Sequence, residues 1–192
     1  MPAVIAFVSQ KGGVGKSTLA RALAAVCAHA GLEVVLADLD PRQQTLVHWQ
    51  HARTAHRVSP RLSMEAFHDA AAAAERAERC DLLILDAPAG VDEETLAIAR
   101  MAHLIVQPTD PTLDDLHPTV LLFHELADAG IPKAHLVAAL FRVLDDEEAS
   151  AAGLLERGRL RRSAWLHSGE PSVSRRAQSR TVAYRNRRAG VQ

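Results

Sequence analysis

Near the start of the chain, Ser9-Gln10-Lys11-Gly12-Gly13-Val14-Gly15-Lys16-Ser17-Thr18 separates an apolar run, Ala3–Val8, from a stretch with helical periodicity. Few folds accommodate a strand, a glycine-rich turn and a helix in that order. The arrangement is the one a phosphate-binding loop requires. Backbone amides of such a turn wrap an anion, and the N-terminus of the following helix adds the positive end of its dipole. Gly12, Gly13 and Gly15 allow a close approach that a Cβ would obstruct. Lys16 can reach β- and γ-phosphates, and the Ser17 hydroxyl can ligate Mg²⁺. The common pattern G-x-x-x-x-G-K-[ST] has glycine where this chain has Gln10, and Lys11 is an additional lysine.

The stretch Lys11–Thr18, K-G-G-V-G-K-S-T, resembles the deviant Walker A motif of the ParA/MinD family of ATPases. The resemblance implies nucleotide binding by Lys11, Gly12, Gly13, Val14, Gly15, Lys16, Ser17 and Thr18. It further implies that Lys11 reaches across a dimer interface to the partner subunit's nucleotide. Two later stretches extend the match. Val34-Val35-Leu36-Ala37 is apolar without alternation, as in a buried parallel strand, and ends in Asp38-Leu39-Asp40-Pro41. This is similar to the family's second signature, in which the residue at the Asp40 position orients the attacking water. Taken alone, such an aspartate can also cap the next helix. Leu82-Leu83-Ile84-Leu85-Asp86 resembles Walker B, with Asp86 implied as a Mg²⁺ ligand and Gly90 in the segment sensing the γ-phosphate. The implied catalytic set is Lys11, Lys16 and Asp40; the implied metal set is Ser17 and Asp86.

Strands alternating with helices predict an α/β fold: a doubly wound, mainly parallel sheet with helices on both faces. Helix 16–30 is expected to bury Leu19, Leu23, Val26 and Cys27. A helix is expected over 45–55 with Trp49 as a packing anchor, a surface helix over 67–79, and another near 119–129. Strands are expected at 104–107, 136–141 and near 164–167. His48, His51 and His56 read as exposed helix positions rather than a metal cluster.

With 192 residues, the chain is expected to form one domain over 1–192. Residues 157–192 form its Arg-rich C-terminal segment, with ten arginines against Glu170 alone, a balance of +9; residues 1–156 balance at −10. Such an end suggests contact with a polyanion. Cys27 and Cys80 lack metal or redox spacing, and no run reaches the length of a membrane span. A cytoplasmic protein without membrane attachment is expected.

The proline-punctuated stretch Pro108–Asp115 resembles that of small plasmid-type ParA proteins similar to ParF. By resemblance, the chain is an ATP- and Mg²⁺-dependent ATPase that forms a homodimer on binding ATP. Nucleoid-associated binding to nonspecific DNA is implied, with a ParB-like adaptor stimulating hydrolysis, in plasmid or chromosome partitioning. The alternative is ATP-dependent positioning of a protein cargo, or a MinD-like membrane switch, without DNA binding.

Overall fold

The computed structural model describes residues 1–40 and 45–143, with 153, 155, 161–162 and 166–167. Strand β1 (Ala3–Ser9) opens the chain, followed by α1 (Lys16–His29), β2 (Val34–Asp38) and α2 (Thr45–Ala55). Next come β3 (Ser63–Ala66), α3 (Ala70–Arg76), β4 (Leu82–Ala89) and α4 (Glu93–Met101). Then β5 (Leu104–Thr109), α5 (Leu113–Asp128) and β6 (Leu136–Val143) complete the main body. Two short strands follow, β7 (Arg161–Arg162) and β8 (Leu166–His167).

The sheet runs β3-β2-β4-β1-β5-β6-β7, with β8 also paired to β6, and every pairing is parallel. Parallel strands are buried on both faces, and β2 is buried at all five of its positions. Alternate residues of β1 divide the core. Val4, Ala6 and Val8 pack with Ala73, Ile98 and Phe123 of α3, α4 and α5. Phe7 packs on the opposite face with Leu19 and Ala24 of α1 and Leu46 of α2. Among the described residues, α1 and α2 therefore cover one face and α3, α4 and α5 the other, as expected of a doubly wound sheet. Each large side chain fully withdrawn from water contributes about 1.5–3 kcal/mol.

Several expectations need correction. Helix α1 buries Leu19, Ala20 and Ala24 on the sheet, whereas Val26 is 66% exposed. Leu23 and Cys27 pack, half-buried, against the same cluster, so of the expected stripe Val26 is the member that departs, and Ala20 and Ala24 complete the seam. The expected helix over 67–79 forms only at Ala70–Arg76, capped by the Asp69 carboxylate accepting from the Ala72 amide. Strand β3 just before it and helix α4 had no counterpart in the sequence reading. Helix α5 begins at Leu113 rather than near 119 and carries Pro118 within it. Trp49, by contrast, packs against the core as expected, half-buried, and also has the Arg21 and Arg53 guanidinium carbons 5.3 and 4.9 Å from its ring centroid. Of the Arg-rich segment 157–192, expected to contact a polyanion, all but 161–162 and 166–167 lies outside the described residues.

Candidate nucleotide site

The loop between β1 and α1 emerges in the middle of the sheet, at the C-terminal ends of the strands, where α/β sheets place ligands. Gly15 is the N-cap of α1 at φ 101°, a conformation that excludes most side chains. No side chain caps this helix and no acidic residue stands in its first turn. Its leading amides and positive dipole end are directed at whatever enters the loop.

Ser9 organises the two lysines. Its hydroxyl donates to the Lys11 carbonyl at 2.6 Å and accepts from Lys16 Nζ at 3.0 Å. Lys16 is buried, which lowers the pKa of its ammonium; Asp86 and Asp40, in that order, oppose the shift. The opposing influence places Asp40 and Asp86 around the same ammonium.

Lys11 points elsewhere. Its Nζ donates to the Asp114 carbonyl at 2.6 Å and to Asp115 Oδ1 at 2.9 Å. The acceptor on Asp114 has a local origin. In an α-helix this carbonyl would accept from the amide of residue 118, and Pro118 has none. Lys11 supplies the missing donor. Its hydrogen bond, with a second from Thr112, holds the Asp115 carboxyl below the ordinary carboxylate range.

The two aspartates after β2 divide their tasks. Asp38 Oδ1 accepts from the Asp40 amide at 3.0 Å, and Oδ2 from the Leu46 amide at 3.2 Å, tying β2 to the first turn of α2. The capping function thus belongs to Asp38, and the Asp40 charge lies near enough to act on the Lys16 ammonium. Parallel register sets Asp38 beside Asp86 on the α1 face of the sheet. Burial pushes the Asp86 carboxyl up to about 6; a hydrogen bond with Ser17 acts against this, and the neighbouring Asp38 charge adds to it.

Among the described residues, Asp86 Oδ1 is buried with no hydrogen-bond partner. An orphaned carboxylate oxygen beside a hydroxyl, next to a phosphate-binding turn, is the donor set a hard divalent cation selects. Ser17 and Asp86 therefore fit Mg²⁺. Gly90, at φ 142°, donates its amide to the Ser9 carbonyl at 3.0 Å, which fastens the end of β4 to the loop.

The structure gathers Lys16, Ser17, Asp40 and Asp86 in one place and directs Lys11 away from them. Sequence reasoning missed Ser9, the capping work of Asp38, and the Asp114–Asp115 anchor. A hydroxyl immediately before the loop and a proline four residues after Asp114 are the signals that were available.

This fold and loop define a phosphate-binding α/β domain. Residues 5–144 match the profile of the CobQ/CobB/MinD/ParA nucleotide binding domain, and the chain belongs to that family. A curated relative, the maintenance of carboxysome distribution protein A of Gloeobacter kilaueensis, is 33% identical over 131 residues. That match takes in 64% of this chain and 56% of the relative, so the chain spans little more than half of that protein's length. Among solved structures, apo McdA of Cyanothece superposes with a TM-score of 0.66 at 16% identity, covering 88% of this chain and 87% of the other. A Cyanothece McdA variant in complex with ATP gives 0.62 at 15% identity, covering 84% and 81%. At such identities the structures share the fold.

Proposed function

We propose that this chain is an ATP-hydrolysing switch that dimerises on ATP and positions a protein cargo. The observation that carries the reading is the division between the two loop lysines. Lys16 is buried in the site, whereas Lys11 is half-exposed and held only at the surface of its own chain. A lysine so placed can leave at small cost, since an exposed ion pair contributes about 0.2–1 kcal/mol, and reach a nucleotide on a second subunit. The similarity to a protein named for carboxysome distribution favours a protein assembly as cargo over a plasmid.

In this reading the loop amides and Lys16 hold the phosphates, and Asp40 orients the attacking water. Mg²⁺, held by Ser17 and Asp86, would neutralise charge on the β- and γ-phosphates. Phosphoryl transfer depends mainly on positioning and electrostatic stabilisation. Losing the group that orients the water therefore slows chemistry while leaving binding in place.

Two substitutions test the switch. Lys11→Ala is expected to bind ATP in calorimetry but to stay monomeric in light scattering and to hydrolyse poorly. Full turnover would reduce Lys11 to a residue of the turn. Asp40→Ala is expected to bind ATP and dimerise, yet turn over roughly 10- to 100-fold more slowly. An unchanged rate would place the water elsewhere.

The second reading is partition on nonspecific DNA with a ParB-like adaptor. The +9 balance of residues 157–192 supports it, since basic residues neutralise phosphates whatever the sequence. ATP-dependent retention on DNA, lost when Arg175, Arg176 and Arg180 become alanine, would favour partition; no retention would favour cargo positioning alone.

A further inference from the structure

Helices α1, α2 and α5 end in the same way. After α1, the Leu32 amide donates to the Cys27 carbonyl at 3.1 Å and the Gly31 amide to Ala28 at 3.0 Å. After α5, Ile131 donates to Leu126 and Gly130 to Ala127, both at 3.0 Å. After α2, Val58 donates to Arg53 at 2.9 Å and Arg57 to Thr54 at 3.1 Å. Each is a Schellman ending with an apolar residue after the turn. The turning residue takes positive φ in all three: 88° at Gly31, 91° at Gly130 and 51° at Arg57. Glycine enters this conformation freely, whereas a side chain pays for it. Twice the chain uses glycine; at the third position it has arginine.

Arg57 lines a cavity of about 610 Å³ between the end of α2 and the start of the edge strand β3, together with Arg53, Ser59, Arg61, Leu62 and Met64. That volume lies within the range of about 300–1,000 Å³ typical of small-molecule sites. Leu62 and Met64 give it a buried apolar floor. Arg53 is preset: it donates to the Pro60 carbonyl at 2.6 Å and lies against Trp49. Arg57 and Arg61 are exposed, and among the described residues neither has a carboxylate partner. From Pro41 to Met64 the sequence contains four arginines and no acidic residue. The next carboxylate, Glu65, is occupied by Arg76 at 2.8 Å and by the Ser63 hydroxyl at 2.9 Å.

A helix C-terminus disfavours anions, which argues against such a site. Here the Schellman bonds occupy the carbonyls of Arg53 and Thr54, and three guanidinium groups outweigh the residual partial charge. Guanidinium forks match phosphate oxygens in pairs. We infer that this cavity is a second ligand site, separate from the glycine-rich loop, for a small organic phosphate of at least two negative charges whose apolar or ring portion rests on Leu62 and Met64.

The test uses the full chain with Trp165→Phe, so that Trp49 is the sole tryptophan, and with Lys16→Ala to silence the loop. Inorganic pyrophosphate is the probe, and Trp49 emission reports on the Arg53 face. A saturable change in emission is expected. Arg57→Gly is expected to move two readouts in opposite directions: pyrophosphate affinity falls roughly ten-fold with the loss of a charge-assisted contact. Meanwhile the thermal midpoint rises by about 2–4 °C, because glycine relieves the turn. The proposal is overturned if pyrophosphate produces no saturable change. It is equally overturned if Arg57→Gly binds as tightly as its parent, since the arginine would then serve only the helix end.

Discussion

Lys16→Ala is expected to weaken Mg-ATP binding by about 100- to 1,000-fold or more while the chain stays folded. Removing one member of a buried, hydrogen-bonded charge pair costs about 2–5 kcal/mol, and Lys16 is the buried cation of this loop. Its ammonium is already strained by desolvation, so the apo protein loses little by its removal. Ser9 keeps its bond to the Lys11 carbonyl. The change therefore separates affinity from folding. Calorimetry with Mg-ATP, beside circular dichroism of both proteins, checks it. Undiminished affinity would remove the loop from the nucleotide site.

The second large effect concerns Asp86, where stability and binding oppose each other. Its folded pKa is about 6 against an ordinary 3.8, so between those values the folded chain holds a proton that the unfolded chain has released. Apo stability attributable to this group is thus full below about pH 4, falls as pH rises through 6, and is flat above. At about 1.36 kcal/mol per pKa unit, the loss approaches 3 kcal/mol. Asp86→Asn removes the buried charge. The apo variant is expected to be more stable than its parent at pH 7.5, by somewhat less than that figure because Lys16 loses a counter-charge. The two should converge near pH 4. Added Mg²⁺ with ATP should stabilise the parent and leave the variant nearly unmoved. Urea melts at pH 4.5 and 7.5 check the sign; a stability difference independent of pH would mean that Asp86 titrates as an ordinary carboxylate.

What the sequence reveals of this molecule follows the range of the interactions involved. The glycine-rich loop was legible because strand, turn and helix are consecutive and their chemistry is local. The strands β2 and β4 were legible because double-sided burial writes an unbroken apolar run. Strand β3, Ser63-Met64-Glu65-Ala66, has only one buried residue and owes its existence to pairing with β2. Helix α4 did carry a readable start, Asp92 accepting from the Thr95 amide with Glu93 and Glu94 in the first turn. Pro118 misled in the usual way, since a proline inside a helical pattern is read as a boundary. In the site, Lys16, Ser17 and Asp86 were legible by order, but the roles of Ser9, Asp38 and Asp115 arise from register and packing that no short window contains.

Pro118 has one more consequence, which concerns populations. By leaving the Asp114 carbonyl without an amide partner, it makes a resting place for Lys11. If that anchor is worth about 1 kcal/mol, roughly one molecule in six has Lys11 free at any moment. A dimer needing the lysine of both subunits draws on the square of that fraction, so association weakens by about forty-fold relative to an unanchored chain. In the proposed dimerising switch, a single missing N–H would thus help set how much protein must accumulate before pairs form.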